Sequence, residues 1–128
     1  MGSNKREIRK AVAALHASPW KVVVACTGAG AGLIDLLWEV PGASNTVLDM
    51  LFPYGREALI DFVGHEPESY CSMDTALWMA GRAYRRAQQF EIHSSNAKPQ
   101  VIGLGITAAV RTGHPKKGEH RVFVAART

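Results

Sequence analysis

Residues Lys21-Val22-Val23-Val24-Ala25-Cys26 form a short, β-branched run that is apolar at every position after the lysine. A strand with one face in water alternates apolar and polar residues, whereas a continuously apolar strand has to be covered on both faces. The run therefore predicts a central strand with helices on either side. Directly after it come Thr27-Gly28-Ala29-Gly30-Ala31-Gly32, then Leu33, Ile34, Leu36 and Leu37 at helical spacing as far as Pro41-Gly42. Strand, glycine turn and helix, in that order, make an α/β unit.

The flanking sequence supplies the other elements. Asn4 and Glu7 have the spacing of a capping box, and Ile8, Val12 and Leu15 share one helical face before Pro19, which predicts a helix over residues 4–17. Val47 to Phe52 reads as a second strand, closed by Pro53 because proline has no N–H to give to a ladder. Arg56 to Val63 reads as a short helix, with Gly64 suited to the left-handed conformation after its last turn. Ser72 is placed to cap a longer helix. On it Met73, Leu77, Ala80 and Tyr84 are expected to form the buried face, with Arg82, Arg85 and Arg86 on the outer side. Its small residues, Ala76, Ala80, Gly81, Ala83 and Ala87, permit close approach to a sheet or another helix. Residues 91–99 read as a polar loop, Val101 to Ile106 as a glycine-containing strand, and 107–120 as a loop. Arg121 to Ala126 then closes a hairpin with the preceding strand. The order α, β, α, β, α, α, β, β predicts a three-layer α/β/α sandwich with a mixed central sheet, one domain over residues 1–128. Residues 1–3 are expected to be a cloning remnant.

Composition agrees. A chain of 128 residues is enough for one core and too short for two ordinary domains. An apolar content of 47% excludes a disordered tail, and no apolar run approaches the roughly 18 residues of a membrane span. Cys26 and Cys71 make a poor disulfide framework, and the chain does not open with a signal peptide, so a reduced, cytoplasmic protein is expected. Net charge is +4, with six basic against six acidic residues up to position 64 and nine against five from 65 onward. Arg111, Lys116, Lys117, Arg121 and Arg127 face only Glu119, which suits either an anion-binding patch or a solvated basic edge.

The motif inventory is mostly negative. Gly28 and Gly30 match part of a dinucleotide fingerprint, but Leu33 holds its third glycine position, and Asp49 falls inside the second strand rather than at its end. No Gly-Lys-Ser/Thr phosphate loop and no Gly-x-Ser-x-Gly elbow is present. His16, His65, His93, His114 and His120 never take zinc-site spacing with a cysteine, so no metal is expected, and no cofactor. Nucleic acid is not an expected partner, because only Phe123 lies among the basic residues of the tail. Cys26 suits a small buried hydrophobe at a strand end, or a thiol made reactive by a helix start.

A longer pattern carries more. Val22-Val23-Val24-Ala25-Cys26-Thr27-Gly28 before a helix, Val40-Pro41-Gly42-Ala43-Ser44, and Pro53-Tyr54 opening a helix that ends Val63-Gly64 resemble the C-terminal domain of the CinA (competence/damage-inducible) family. The resemblance covers most of the chain and is nearest to a branch joined, in longer proteins, to a nucleotidyltransferase-like domain. It implies an amidohydrolase that converts nicotinamide mononucleotide to nicotinate mononucleotide and ammonia. In that family a serine of Glu-Ser-Cys-Thr-Gly-Gly attacks the amide, assisted by the tyrosine and lysine of Tyr-Ser-Asn-Glu-Ala-Lys. A hydroxyl needs such help because it is a weak nucleophile until a base takes its proton.

This chain departs from the pattern at the reacting groups. Matching the Cys-Thr-Gly letters puts Ala25 at the serine position and Val24 at the glutamate position, with two residues inserted before Pro41; an ungapped match puts Thr27 at the serine position. Tyr54, Glu57 and Ala58 fit the second motif, whereas Gly55 and Arg56 replace its serine and asparagine and Leu59 stands where the lysine belongs. Arg56 keeps its proton at neutral pH and is no substitute base.

The expected function is therefore a CinA-like domain that has lost the amidase and serves as a regulatory or accessory module. Its ligand is expected to be a nucleotide, pyridine nucleotide or other phosphate-bearing small molecule, held by Thr27, Gly28, Gly30, Tyr54, Arg56, Thr107, Arg111, Thr112 and Arg121. An active amidohydrolase using Thr27 and Tyr54 is the enzymatic alternative. A homo-oligomer, joined through the small-residue face of residues 76–87, is a third reading, and no membrane partner is expected.

Overall fold

A computed structural model describes residues 2–28, 31–91, 100–109 and 121–128. Its helices are Gly2–His16 (α1), Ala31–Glu39 (α2), Ala43–Thr46 (α3), Arg56–Val63 (α4) and Met73–Glu91 (α5). Its strands are Lys21–Cys26 (β1), Val47–Leu51 (β2), Val101–Ala109 (β3) and Arg121–Arg127 (β4), joined in one sheet in the order β2-β1-β3-β4. β1 runs parallel to β2 and β3, while β4 returns antiparallel to β3 as the expected hairpin.

The uninterrupted apolar run accounts for the layers. Val23 and Ala25 point into a cluster with Leu59, Val63, Met79, Ala83 and Ala87 from α4 and α5. Val22, Val24 and Cys26 point the other way, onto Ile34 and Leu37 of α2. The result is the predicted three-layer α/β/α arrangement with a mixed sheet and a central β1. No helix among the described residues is long and apolar enough to cross a membrane.

Packing of α5 on β3 is unusually close. A Cβ built on Gly103 would lie 2.2 Å from Ala80 O and Tyr84 N, and one on Gly105 would lie 2.2 Å from Ala76 O. This proximity corrects the expected helix face: the buried side carries Thr75, Ala76, Met79, Ala80, Ala83 and Ala87, whereas Met73 and Leu77 are 44% and 52% exposed. Large apolar residues have no room where the helix backbone touches the sheet, so small ones take the inside. The same contact accounts for the small residues of the helix. Ala76, Ala80, Ala83 and Ala87 are buried within the chain and offer nothing to a second copy, which leaves only Gly81 of that set with open space over it.

Other boundaries follow local chemistry. Ser72 caps α5 by accepting a hydrogen bond from Thr75 N–H at 3.1 Å. Gly64 ends α4 in the left-handed region at φ 91°, its N–H donating to Ile60 O. α1 begins before Asn4, so that residue lies inside the helix instead of capping it. β3 extends three residues past Ile106 because its pairing with β4 continues to Ala109 and Arg121. The polar segment 92–99 and most of the expected loop, 110–120, lie outside the described residues.

His16 ties the outer layer together. It is buried at the end of α1, with Nδ1 2.8 Å from Thr46 Oγ1 of α3 and Nε2 2.9 Å from the Leu37 carbonyl of α2. A carbonyl only accepts, so Nε2 carries a proton and donates it to Leu37 O. His16→Ala strands the fully buried Thr46 hydroxyl, and urea unfolding should show a loss of about 2 kcal/mol.

Candidate functional site

The strand order creates a switch point. From β1 the chain crosses through α2 and α3 to β2 on one side, and returns through α4 and α5 to β3 on the other. In open sheets of this kind, ligands sit outside the carboxyl ends of the strands where the winding reverses. Here that place is the end of β1 and its neighbour in β3.

Thr27 and Thr107 meet at this point. Cys26 is in register with Ile106, and Thr27 N–H donates to Ile106 O at 3.0 Å, so the two threonines follow side by side. Thr107 is fully buried, and its Oγ1 has no hydrogen-bond partner among the described residues. Gly103 and Gly105 face α5 at residues 84 and 80, then 80 and 76. By strand alternation Thr107 takes the next position, toward the Ser72 end of that helix.

Gly28 turns the chain away from β1 with φ 46°. Its missing side chain makes room for Tyr54: a Cβ there would lie 2.8 Å from Tyr54 Cε1 and 3.2 Å from Cδ1. The tyrosine reaches this position because Pro53 ends β2 just before it, at the same end of the sheet. Arg121 lies at this end too, opposite Ala109 and within 3.8 Å, through its carbonyl, of Cys71 Sγ.

Arg56 is drawn elsewhere. It contacts Glu57 at 2.9 Å and Glu66 at 2.5 Å, and the hydrogen bond it donates to Glu66, with further help from Tyr70, raises its guanidinium above the ordinary arginine value. Gly30, Arg111 and Thr112 lie outside the described residues. The structure thus gathers Thr27, Gly28, Tyr54 and Thr107, with Arg121 at the same end.

Sequence reasoning missed a second feature beside the site. A groove of about 440 Å³ is lined by Ser69, Ser72 and Thr75 at the start of α5 together with His65, Glu66, Glu68, Asp74 and Trp78. Its signal was the serine-rich approach to the Ser72 cap.

Chemically, the gathered groups are hydroxyls and a glycine backbone. They can hydrogen-bond an anion or a sugar, and none of the four is an amine, imidazole or carboxylate. The two positions at which letter-matching replaces the reacting groups of the CinA pattern, Ala25 and Leu59, belong to one hydrophobic cluster and are 0% and 2% exposed.

No protein-family model and no curated protein matches the chain. Solved structures do. The chain is similar to the competence/damage inducible protein CihA from Agrobacterium tumefaciens, with TM-score 0.68, 21% identity, and coverage of 96% of this chain and 72% of that one. It is also similar to a competence-damaged protein (CinA) superfamily protein from Escherichia coli, with TM-score 0.61 and 17% identity over 94% of this chain and 76% of that one. A CinA superfamily protein from Enterobacter cloacae gives TM-score 0.64 and 16% identity over 96% and 77%. At such identities the architecture is what is shared, and this chain has the fold of a CinA-like domain.

Proposed function

We propose that this CinA-like domain binds a nucleotide or other phosphate-bearing small molecule at the carboxyl ends of β1 and β3, and does not deamidate nicotinamide mononucleotide. The observation that carries the second half is the apolar pair of Ala25 and Leu59 inside one packed cluster. Under the letter match, an alanine and a leucine of that cluster stand where the family pattern has a nucleophile and a base. Loss of both removes nucleophilic catalysis as a unit. Support for binding comes from the switch-point location and from the fully buried Thr107 hydroxyl, which has no partner among the described residues. Such a hydroxyl is costly to leave without a partner.

The test combines ammonia release with thermal unfolding. Nicotinamide mononucleotide, nicotinate mononucleotide, ATP and inorganic phosphate are each added to the protein. We expect no ammonia, and a rise in melting temperature with at least one of them, on the order of 10 °C at a hundredfold excess over Kd. Brisk ammonia release overturns the loss of activity; no shift with any of the four overturns binding.

Thr107→Val provides a second readout. Removing an unpartnered buried hydroxyl while keeping the shape should raise stability in the absence of ligand by about 1 kcal/mol. The same change should shrink the ligand-induced shift.

The enzymatic alternative retains one favourable observation: Thr27 is a half-buried hydroxyl at the strand end, next to the glycine over which Tyr54 lies. Ammonia release abolished by Thr27→Ala would establish it.

A further inference from the structure

A second groove, of about 730 Å³, shares His65 and Trp78 with the serine-lined one and opens over the middle of α5. Its cations are Arg82 and Arg85 of α5 and Arg127 of β4, and its rings are Trp78, Tyr84 and His65. None of its described lining residues is acidic. The three arginines form no ion pair among the described residues. Two of them are nonetheless held in place. Arg82 donates to the Val63 carbonyl through Nε at 3.4 Å and Nη2 at 3.3 Å, and a Cβ on Gly64 would stand 2.5 Å from that Nη2. Arg127 lies over the Tyr84 ring, 5.4 Å from its centroid. Cations fixed in advance lose less freedom when an anion arrives.

The chemistry of the lining defines the ligand. Guanidinium groups without a carboxylate partner suit phosphate, and an exposed indole suits a planar base. Trp78 is 41% exposed, with its ring braced against His65 at 86° and centroids 4.1 Å apart. Trp78, Arg82 and Arg85 stand at i, i+4 and i+7, on one helix face over about 10 Å of its axis. Nothing lies within 4 Å of where a Cβ on Gly81 would stand, so the groove is open beside that row. Separate cations along an open groove match a chain of phosphates better than a single one. The bases of a duplex are stacked and paired within it, so an aromatic wall favours a single strand. Along the sequence only Phe123 lies among the basic residues of the tail, whereas the fold carries Arg127 of that tail to a tyrosine and a tryptophan of α5.

We propose that this groove binds single-stranded nucleic acid without sequence preference, its phosphates on Arg82, Arg85 and Arg127 and one base on Trp78. The site is separate from the switch point and uses none of its residues.

Fluorescence anisotropy of a labelled oligothymidylate of about 12 nucleotides, titrated with the whole chain at several salt concentrations, tests the proposal. The logarithm of the affinity should fall with the logarithm of salt at a slope of about −2, three phosphates at about −0.7 each. Arg85→Gln, which breaks no hydrogen bond or ion pair among the described residues, should reduce that slope to about −1.4. Trp78→Ala should weaken binding on the order of tenfold with the slope unchanged, and Trp78→Phe should recover most of the loss. Lys10→Gln, in the basic groove that α1 forms with Arg6 and Arg9, should alter neither quantity. No binding at low salt overturns the proposal. So does binding that Arg85→Gln and Trp78→Ala leave as it was, because the strand then lies elsewhere on the chain. Competition by a duplex of the same length as effective as that by unlabelled single strand overturns the choice of single strand. ATP competing equally well, phosphate for phosphate, overturns the choice of a polymer. The melting-temperature rise with small ligands remains the separate measure of the switch-point site.

Discussion

Gly103→Ala and Gly105→Ala should each destabilise the protein by about 3 kcal/mol or more, as read from the urea midpoint. Overpacking a core side chain usually costs about 1–3 kcal/mol because neighbours can change rotamer. Here the obstacle is helix backbone. The new methyl carbon would sit 2.2 Å from a carbonyl oxygen of α5 in either variant, and beside Tyr84 N or Ala80 N as well. The helix would have to lift from β3 along much of its length, separating the buried alanines from the sheet. A domain of this size has roughly 5–15 kcal/mol in total, so the double variant should not fold. Gly81→Ala is the matched comparison: it lies on the same helix with open space over it, and should be neutral or slightly stabilising. Equal, small effects at all three positions would contradict the close packing.

Leu59→Lys, which restores the lysine of the CinA pattern, should be the other severe change, on the order of 4 kcal/mol at pH 7. Leu59 is 2% exposed among Val23, Ala25, Val63 and Met79, so an amine there leaves water without gaining a partner. Burial favours the neutral amine and pulls its pKa in the folded state below that of the unfolded chain. The sign of the pH dependence follows. Below the folded pKa the full penalty is present; between the two values the unfolded state binds the extra proton, and stability rises with pH. The deficit relative to the unaltered protein should therefore shrink between pH 7 and pH 10. A variant that is stable at pH 7, with no such slope, would mean that the position opens readily to water.

Much of the architecture was legible. The bounds of β1 and α4, the left-handed Gly64 and the Ser72 cap depend on local sequence, through β-branching, glycine geometry and side-chain oxygens within three residues of their partners. Elements set by distant partners were not. α3 is four residues long and has no periodicity to detect. Arg86, expected on the outer side, turns to Asp49 of β2 at 2.6 Å, an ion pair between residues far apart in the chain. Hydrophobicity ranks leucine and methionine above alanine and so points to another face of α5, whereas two glycines on another strand make alanine the residue that fits.

The candidate site divides in the same way. Thr27 and Gly28 stood out from the strand and glycine turn alone, and Tyr54 from its place after Pro53. That Thr107 stands beside Thr27, its hydroxyl buried and without a partner among the described residues, depends on the register of β1 with β3. That Arg56 is occupied depends on Glu66, ten residues away across the end of α4.

By itself the sequence determined that this chain builds a central apolar strand, a glycine turn and flanking helices in a CinA-like order, and that leucine stands where the family pattern has lysine. Those properties reside in residue type and short spacing, and they hold whatever the rest of the chain does. Only the tertiary structure decided that Ala25 and Leu59 share one dry cluster, that two threonines meet at the switch point, and that α5 turns Met73 and Leu77 to solvent. Strand order, register and helix contact bring together groups distant in the chain, and these are settled by the packing of the whole domain.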